Sequence, residues 1–334
     1  MNSDLTQSTQ ITLTGTALTE EGAPPIRSNK LMRFLRPASW IGFTILCLLV
    51  FTFWKLPQDR LRNLIQGHIA SALAQKGVAF TAGESWISLG LGVTYTMKDV
   101  RITPPSADEP LIIERVEVSP KISALLFKKI AGSFYLKAGD GTLSGEFNSK
   151  GDQLDGKVKL KHLDLGKTGA LLILTGIKGG LDVSGTLAFA GNPDNPSTFL
   201  TDVDLDLSKL EISPQSIAGF NLPKISASEG RIQFTSAAGK GMIKTLKIGS
   251  SAKKDSGDDI ILSMDGDLSL GQNWESSQIH SRAKLQLSAA LTKSFILIDA
   301  FLGPGKQTDG SYLFDLQGPL TAPNPVPVAP GAAK

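Results

Sequence analysis

The chain has 334 residues, enough for one large or two ordinary domains once any tail is set aside, and its 41% apolar content permits a sizeable core. Thirty-four lysines and arginines against 31 acids leave a dispersed formal charge of +3, without the clustered basic face that nucleic-acid binding needs. A lone cysteine, Cys47, excludes an intrachain disulfide and a cysteine-based zinc site, and 34 glycines beside three tyrosines point to many turns.

Residues 1–36 are rich in Ser, Thr and Gly, lack a helical apolar period, and read as a disordered leader. Residues 38–54, ASWIGFTILCLLVFTFW, run without a charge. That is about 26 Å of helix against roughly 30 Å of bilayer hydrocarbon, with Trp40 and Trp54 placed as interfacial anchors. The exit, FTFWKLPQDR, is too bulky for a cleavage point, so 37–56 reads as an uncleaved transmembrane anchor. Arg27, Lys30, Arg33 and Arg36 before it, against Lys55, Arg60 and Arg62 after it, tilt the orientation toward a cytoplasmic leader.

Residues 57–76 place Leu61, Leu64, Ile65, Ile69, Ala72 and Leu73 at helical spacing, with Gly77 at the C′ position. Short alternating or β-branched runs follow at 78–80, 86–91, 93–102, 111–118 and 133–137, and read as strands. Between the last two, KISALLFKKIAG (121–132) returns briefly to helical spacing. Residues 171–177 and 289–302 do not alternate and read as short helices.

Two weak repeats cross the strand region. In YTMKDVRI (95–102), VKLKHLDL (158–165) and LDLSKLEI (205–212), two apolar alternations are offset by one extra residue, and GMIKTLKI (241–248) matches except at its first position. One extra residue turns a strand over unless a bulge absorbs it. The second repeat sets glycine just before an apolar strand half: TLSGEF (142–147), DVSGTLAF (182–189), SMDGDLSL (263–270) and FDLQGPL (314–320). Glycine inside a strand marks a bulge or strong curvature. Both devices let a long antiparallel sheet bend while its apolar residues stay on one side. Lys157, Lys159 and Lys161, like Asp202, Asp204 and Asp206, alternate with apolar neighbours and read as polar faces, the aspartates as a solvated edge. The end of the chain, 321–334, is proline-rich and reads as a flexible tail.

Chemistry-bearing patterns are sparse. His68, His162 and His280 lie far apart with no second ligand at metal spacing. The acidic run DSGDD (255–259) lacks the closing glutamate of a calcium loop and reads as a polar turn. The GKT at 166–168 has Lys161 where a phosphate loop needs glycine, and no Gly-x-Ser-x-Gly elbow stands between a strand and a helix. The residues therefore point away from an enzyme, a metal site or a cofactor.

The order of an anchor, an amphipathic helix, WISLGLGVTYTMKDVRITPP (86–105), VEVSPKISALLFKKIAGSFYLKAGDGTLSGEF (116–147) and GSYLFDLQGPLTAP (310–323) resembles the AsmA-like envelope proteins. Within them it is most similar to the type II secretion system protein N family of Gram-negative bacteria, over roughly residues 35–323. The resemblance implies a single-pass inner-membrane protein with its bulk in the periplasm, and a curled sheet with an apolar inner face. It implies the membrane, other secretion-system subunits and phospholipid acyl chains as partners. The long polar leader and the Pro-rich tail depart from that pattern.

The expected architecture is mainly β: a leader (1–36), an N-terminal transmembrane helix (37–56), a curved antiparallel sheet with a few short helices (57–320) and a tail (321–334). Leu143, Phe147, Val158, Leu160, Val183, Leu187, Phe189, Leu205 and Leu207 are the candidates for the wall of an apolar groove. The alternative is that they form an ordinary core beneath the helices at 171–177 and 289–302.

Overall fold

A computed structural model describes residues 43, 44, 47, 58–89, 92–105, 110–125, 127–217, 220–250, 257–294 and 301–331. The chain divides into two compact units, Met1–Leu56 and Pro57–Lys334. The expected leader and nearly all of the expected anchor, with Trp40 and Trp54, lie outside the described residues. Among those described, no helix is long and apolar enough to cross a membrane.

The second unit opens with helix α1 (Gln58–Ala74). The Gly77 N–H donates to the Ala74 carbonyl and the Val78 N–H to the Leu73 carbonyl, with Gly77 at φ 74°, which is the Schellman ending that the C′ glycine anticipates. The buried stripe is narrower than the spacing suggested: Ile65 and Ile69 face the core, whereas Leu64 is 56% exposed.

Beyond it the chain is a β-meander. Fifteen strands join in one antiparallel sheet: β1 (Ala79–Thr81) and β2 (Ser85–Leu89) both pair with β3 (Val93–Thr103), and the order then follows the chain. The next strands are β4 (Leu111–Pro120), β5 (Ile130–Ala138), β6 (Gly141–Lys150), β7 (Gln153–Asp164), β8 (Gly179–Asn192) and β9 (Asn195–Ile212). A separate hairpin of β10 (Gln215–Ile217) and β11 (Phe220–Leu222) follows. The sheet resumes with β12 (Ile225–Ala237), β13 (Lys240–Ile248), β14 (Ile260–Ser269), β15 (Gln278–Leu287), β16 (Tyr312–Pro319) and β17 (Asn324–Pro327). The non-alternating segments do form helices: α2 (Ile122–Leu125), α3 (Ala170–Thr175) and α4 (Ala289–Ser294). Part of the proline-rich stretch expected as a tail instead supplies the last strand. Its prolines cannot donate to a ladder, and an edge strand tolerates that loss.

In β7, β9 and β13 the phase slips are bulges. Asp99, His162 and Lys209 occupy the fifth position of the three eight-residue repeats, and each has a left-handed backbone, at φ 50°, 47° and 54°. Across β7 and β8, Leu160 pairs with Gly185 but Leu163 with Val183, so β7 spends three residues where β8 spends two. β9 does the same against β8, and β13 against β14, where Ile243 pairs with Gly266 and Leu246 with Met264. β3 keeps its register because β4 changes phase with it, from Leu111 and Ile113 to Val116 and Val118. The extra residue is thus swallowed, and Leu163 returns to the side of Leu160. Asp182 on β8 lies between two of the bulges, its carboxylate 3.9 Å from His162 Nδ1 and 3.8 Å from Lys209 Nζ, while the His162 N–H donates to Ser184 Oγ at 2.9 Å.

Glycines inside the strands have a second role. Gly145 pairs with Phe134, and Gly156 pairs with both Phe147 and Phe189. A Cβ on Gly145 would lie 2.7 Å from the Phe134 ring, and one on Gly156 2.6 Å from that of Phe189, so the rings lie over bare backbone.

Core packing concentrates at both ends of the sheet. Tyr95, Met97, Val100 and Ile113 are buried beneath Ile65 and Ile69 of α1. At the other end Ile243, Leu268 and Ile279 form one cluster, and Leu291 of α4 packs with Tyr312, Leu302 and Phe314 in another.

Two substitutions separate the roles of bulge and glycine. His162→Gly relieves a left-handed backbone while keeping the N–H that Ser184 accepts, and should raise unfolding free energy by about 1 kcal/mol. Gly185→Ala, at φ 140°, would bring a Cβ within 2.1 Å of the Asp204 carbonyl oxygen. It should cost roughly 3 kcal/mol. Denaturant unfolding of both variants checks this, and equal losses would contradict the assignment of His162 as the absorbing residue.

Candidate functional site

Ladder register decides which side chains share a face, because directly paired residues point to the same side. Leu143 pairs with Leu160, Leu160 with Gly185, and Gly185 with Leu205. The neighbouring rows run Gly145–Val158–Leu187 and Phe147–Gly156–Phe189, and beyond the bulge Leu163–Val183–Leu207. All nine groove candidates therefore lie on one face of β6–β9. Val183 is buried at 5% exposure, and the other eight are half-buried. α1 and α4 cover the ends of the sheet, and α3 buries its Leu171 near the β7–β8 connection. The middle strands retain accessible apolar surface.

The opposite face is polar. One of its rows runs Ser119–Ser133–Glu146–Lys157–Ala188–Asp202, and the next Tyr135–Ser144–Lys159–Thr186–Asp204. Three adjoining concavities open on this side, of about 680, 640 and 420 Å³. Ser133 is common to the first two, Lys121 to the first and third, and Glu146 and Lys157 to the last two. A twisted sheet is saddle-shaped, so its polar side is concave along one diagonal even when the apolar side is concave along the other.

The aspartate strand is no edge. β9 lies between β8 and β12, and the Arg231 guanidinium clasps Asp204 through Nε at 3.2 Å and Nη2 at 3.0 Å, with Asp206 at 3.8 Å. The same pairing recurs where Arg282 meets Asp315 and Lys284 meets Asp309. Hydrogen bonds from Arg231, from Lys284 and from Arg282 are the leading causes that hold Asp204, Asp309 and Asp315 below the usual carboxylate range.

The remaining chemistry-bearing residues serve the backbone. Asp258 accepts the Ser228 N–H at 2.7 Å and the Ser250 N–H at 2.7 Å, and Asp259 accepts the Ser226 N–H at 2.9 Å, so the last two carboxylates of DSGDD stitch their segment to β12. In GKT, the N–H groups of Gly166 and Lys167 donate to the Asp164 carboxylate, closing the turn into α3. His68, His162 and His280 are exposed on α1, β7 and β15. Among the described residues no three His, Cys, Asp or Glu side chains converge as metal ligands. The sequence reading named the lysines of β7 only as a polar face. The position of Lys157 and Lys159 in a concavity depends on Ser133, Ser144 and Thr186 from three other strands, which no local pattern reveals.

No family model matches the chain, and neither a curated protein nor a solved structure shows detectable similarity to it.

The depressed carboxylates predict acid sensitivity. A group with a lowered folded-state pKa contributes stability above its unfolded value, and that contribution is lost as pH falls through the folded value. The melting temperature should therefore fall below about pH 4, where unfolded aspartates take up protons. Asp309→Asn should show a shallower fall over the same range in thermal melts. An unchanged slope would mean that Asp309 contributes nothing to the acid response.

Proposed function

We propose that this chain is a non-enzymatic, inner-membrane-anchored envelope protein of AsmA-like type, whose periplasmic sheet shelters lipid acyl chains on its apolar face. The observation that carries this reading is the half-buried state of eight aligned apolar side chains on β6–β9, between ends of the sheet that α1 and α4 cover. An acyl chain lying along these rows would bury apolar area worth about 25 cal/mol per Å², or several kcal/mol in total. The bulges in β7 and β9 suit this role, since they bend strands without turning an apolar residue outward.

A second reading, membership of the type II secretion apparatus, is favoured by the resemblance of residues 86–105, 116–147 and 310–323 to the protein N family. On that reading the sheet contacts other secretion subunits through its polar face or its strand edges. Deletion of the gene should then trap folded exoproteins in the periplasm, whereas unimpaired export would reject it.

For the lipid reading, residues 57–334 should co-purify with phospholipid detectable after solvent extraction and mass spectrometry. Leu187→Asp and Phe189→Asp place a carboxylate among the half-buried rows. Variants that keep the β circular-dichroism signature but lose the lipid support a groove. Unfolding of both, together with no lipid on the unaltered protein, would assign these residues to a closed core.

A further inference from the structure

Several cations on the polar face of the chain are matched by acids. Lys121 meets Glu146 at 3.2 Å, Lys137 meets Glu114 at 3.1 Å, and Arg231, Arg282 and Lys284 have the aspartate partners described above. Other strand lysines, such as Lys161, Lys244 and Lys247, have no acid partner among the described residues, and among them Lys157 and Lys159 of β7 are set apart by lining one concavity together. Among the described residues neither ammonium has an acidic oxygen within 4.0 Å, although both line the 640 Å³ concavity. The acids nearest in register are already engaged, Glu146 by Lys121 and Asp155 by the Asn148 amide at 3.2 Å. Two residues apart on one strand face, the lysine Cα atoms stand about 7 Å from each other, so their flexible stems can converge on one small anion. Around them Ser133, Ser144 and Thr186 supply hydroxyls from β5, β6 and β8.

We propose that this trough on the polar face of β5–β8 is an oxyanion site for a phosphate ester, with Lys157 and Lys159 as the charge partners and the Ser133, Ser144 and Thr186 hydroxyls as hydrogen-bond donors. A phosphate presents several strong acceptor oxygens and up to two charges, matching two ammoniums and neutral donors better than a carboxylate does. The site stands apart from the apolar-face reading, because it lies on the other side of the same strands. The phosphate can belong to a soluble ester or to a lipid headgroup.

The test uses the full chain in uncharged detergent micelles, titrated calorimetrically with glycerol phosphate and separately with dihexanoyl phosphatidic acid. Saturable binding should weaken at least tenfold in Lys157→Ser/Lys159→Ser and less than twofold in the control Lys244→Ser/Lys247→Ser, whose lysines lie on β13 outside the trough. All four side chains are exposed, so both variants should keep the β signature in circular dichroism. Comparable affinity for the two probes would assign a soluble ester as the source, and at least tenfold tighter binding of the phosphatidic acid would assign a headgroup. Either uphold the site if the lysine dependence holds. Absence of binding by the unaltered chain, or equal weakening in both double variants, would overturn it.

Discussion

Alternation in an antiparallel sheet is unforgiving: a single additional residue sends every later side chain through to the other face. This chain carries such a residue in several strands, and the sheet survives as a one-sided structure because each is absorbed in a bulge or, in β3, matched by a change of phase in the neighbouring strand. His162 and Lys209 adopt left-handed backbones, and β8 meets both bulges with continuous extended chain, Asp182 lying between the two side chains. A left-handed backbone costs a non-glycine residue roughly 1–2 kcal/mol. That cost is small beside the alternative, in which Leu163, Leu165 and their counterparts would face water while lysines entered the apolar side.

Glycine and phenylalanine solve a related problem. A strand glycine leaves a gap in a packed face and weakens the strand. Here Phe134 leans over Gly145, Phe189 over Gly156 and Phe147 over Gly132, so the gaps are filled by rings from the adjacent strands. The apolar face is thereby continuous in the hydrogen-bonding direction, although several of its positions have no side chain. Its middle strands remain half-buried because the helices contributing most to the buried clusters sit elsewhere, α1 over Tyr95 and Met97 and α4 beside Tyr312.

The polar face is organised by different physics. Its ion pairs are exposed, and exposed pairs contribute little stability singly. Arg231 and Arg282 satisfy the aspartates opposite them. Lys157 and Lys159 of β7, lacking such partners, stand in a concavity lined also by Ser133, Ser144, Thr186 and Glu146.

Much of this architecture was legible before any coordinates. The fifth position of VKLKHLDL and LDLSKLEI was already marked by the phase slip, and the three non-alternating segments announced α2, α3 and α4. Other features were not. Leu64 looked as apolar-faced as Ile65, yet it is exposed, because only contact with the sheet selects which part of a helical stripe is covered. The proline-rich end looked like a tail because nothing local shows that β16 offers an unpaired edge. The aspartates of β9 looked like an edge because their partner, Arg231, is more than twenty residues away. The sequence by itself determined periodicity, breaks and bulges, since these depend on neighbours within a few residues. Only the tertiary structure decided which rows align, which charges are matched and which face holds a cavity. Those properties arise from register between strands, and register is settled by the packing of the whole ladder.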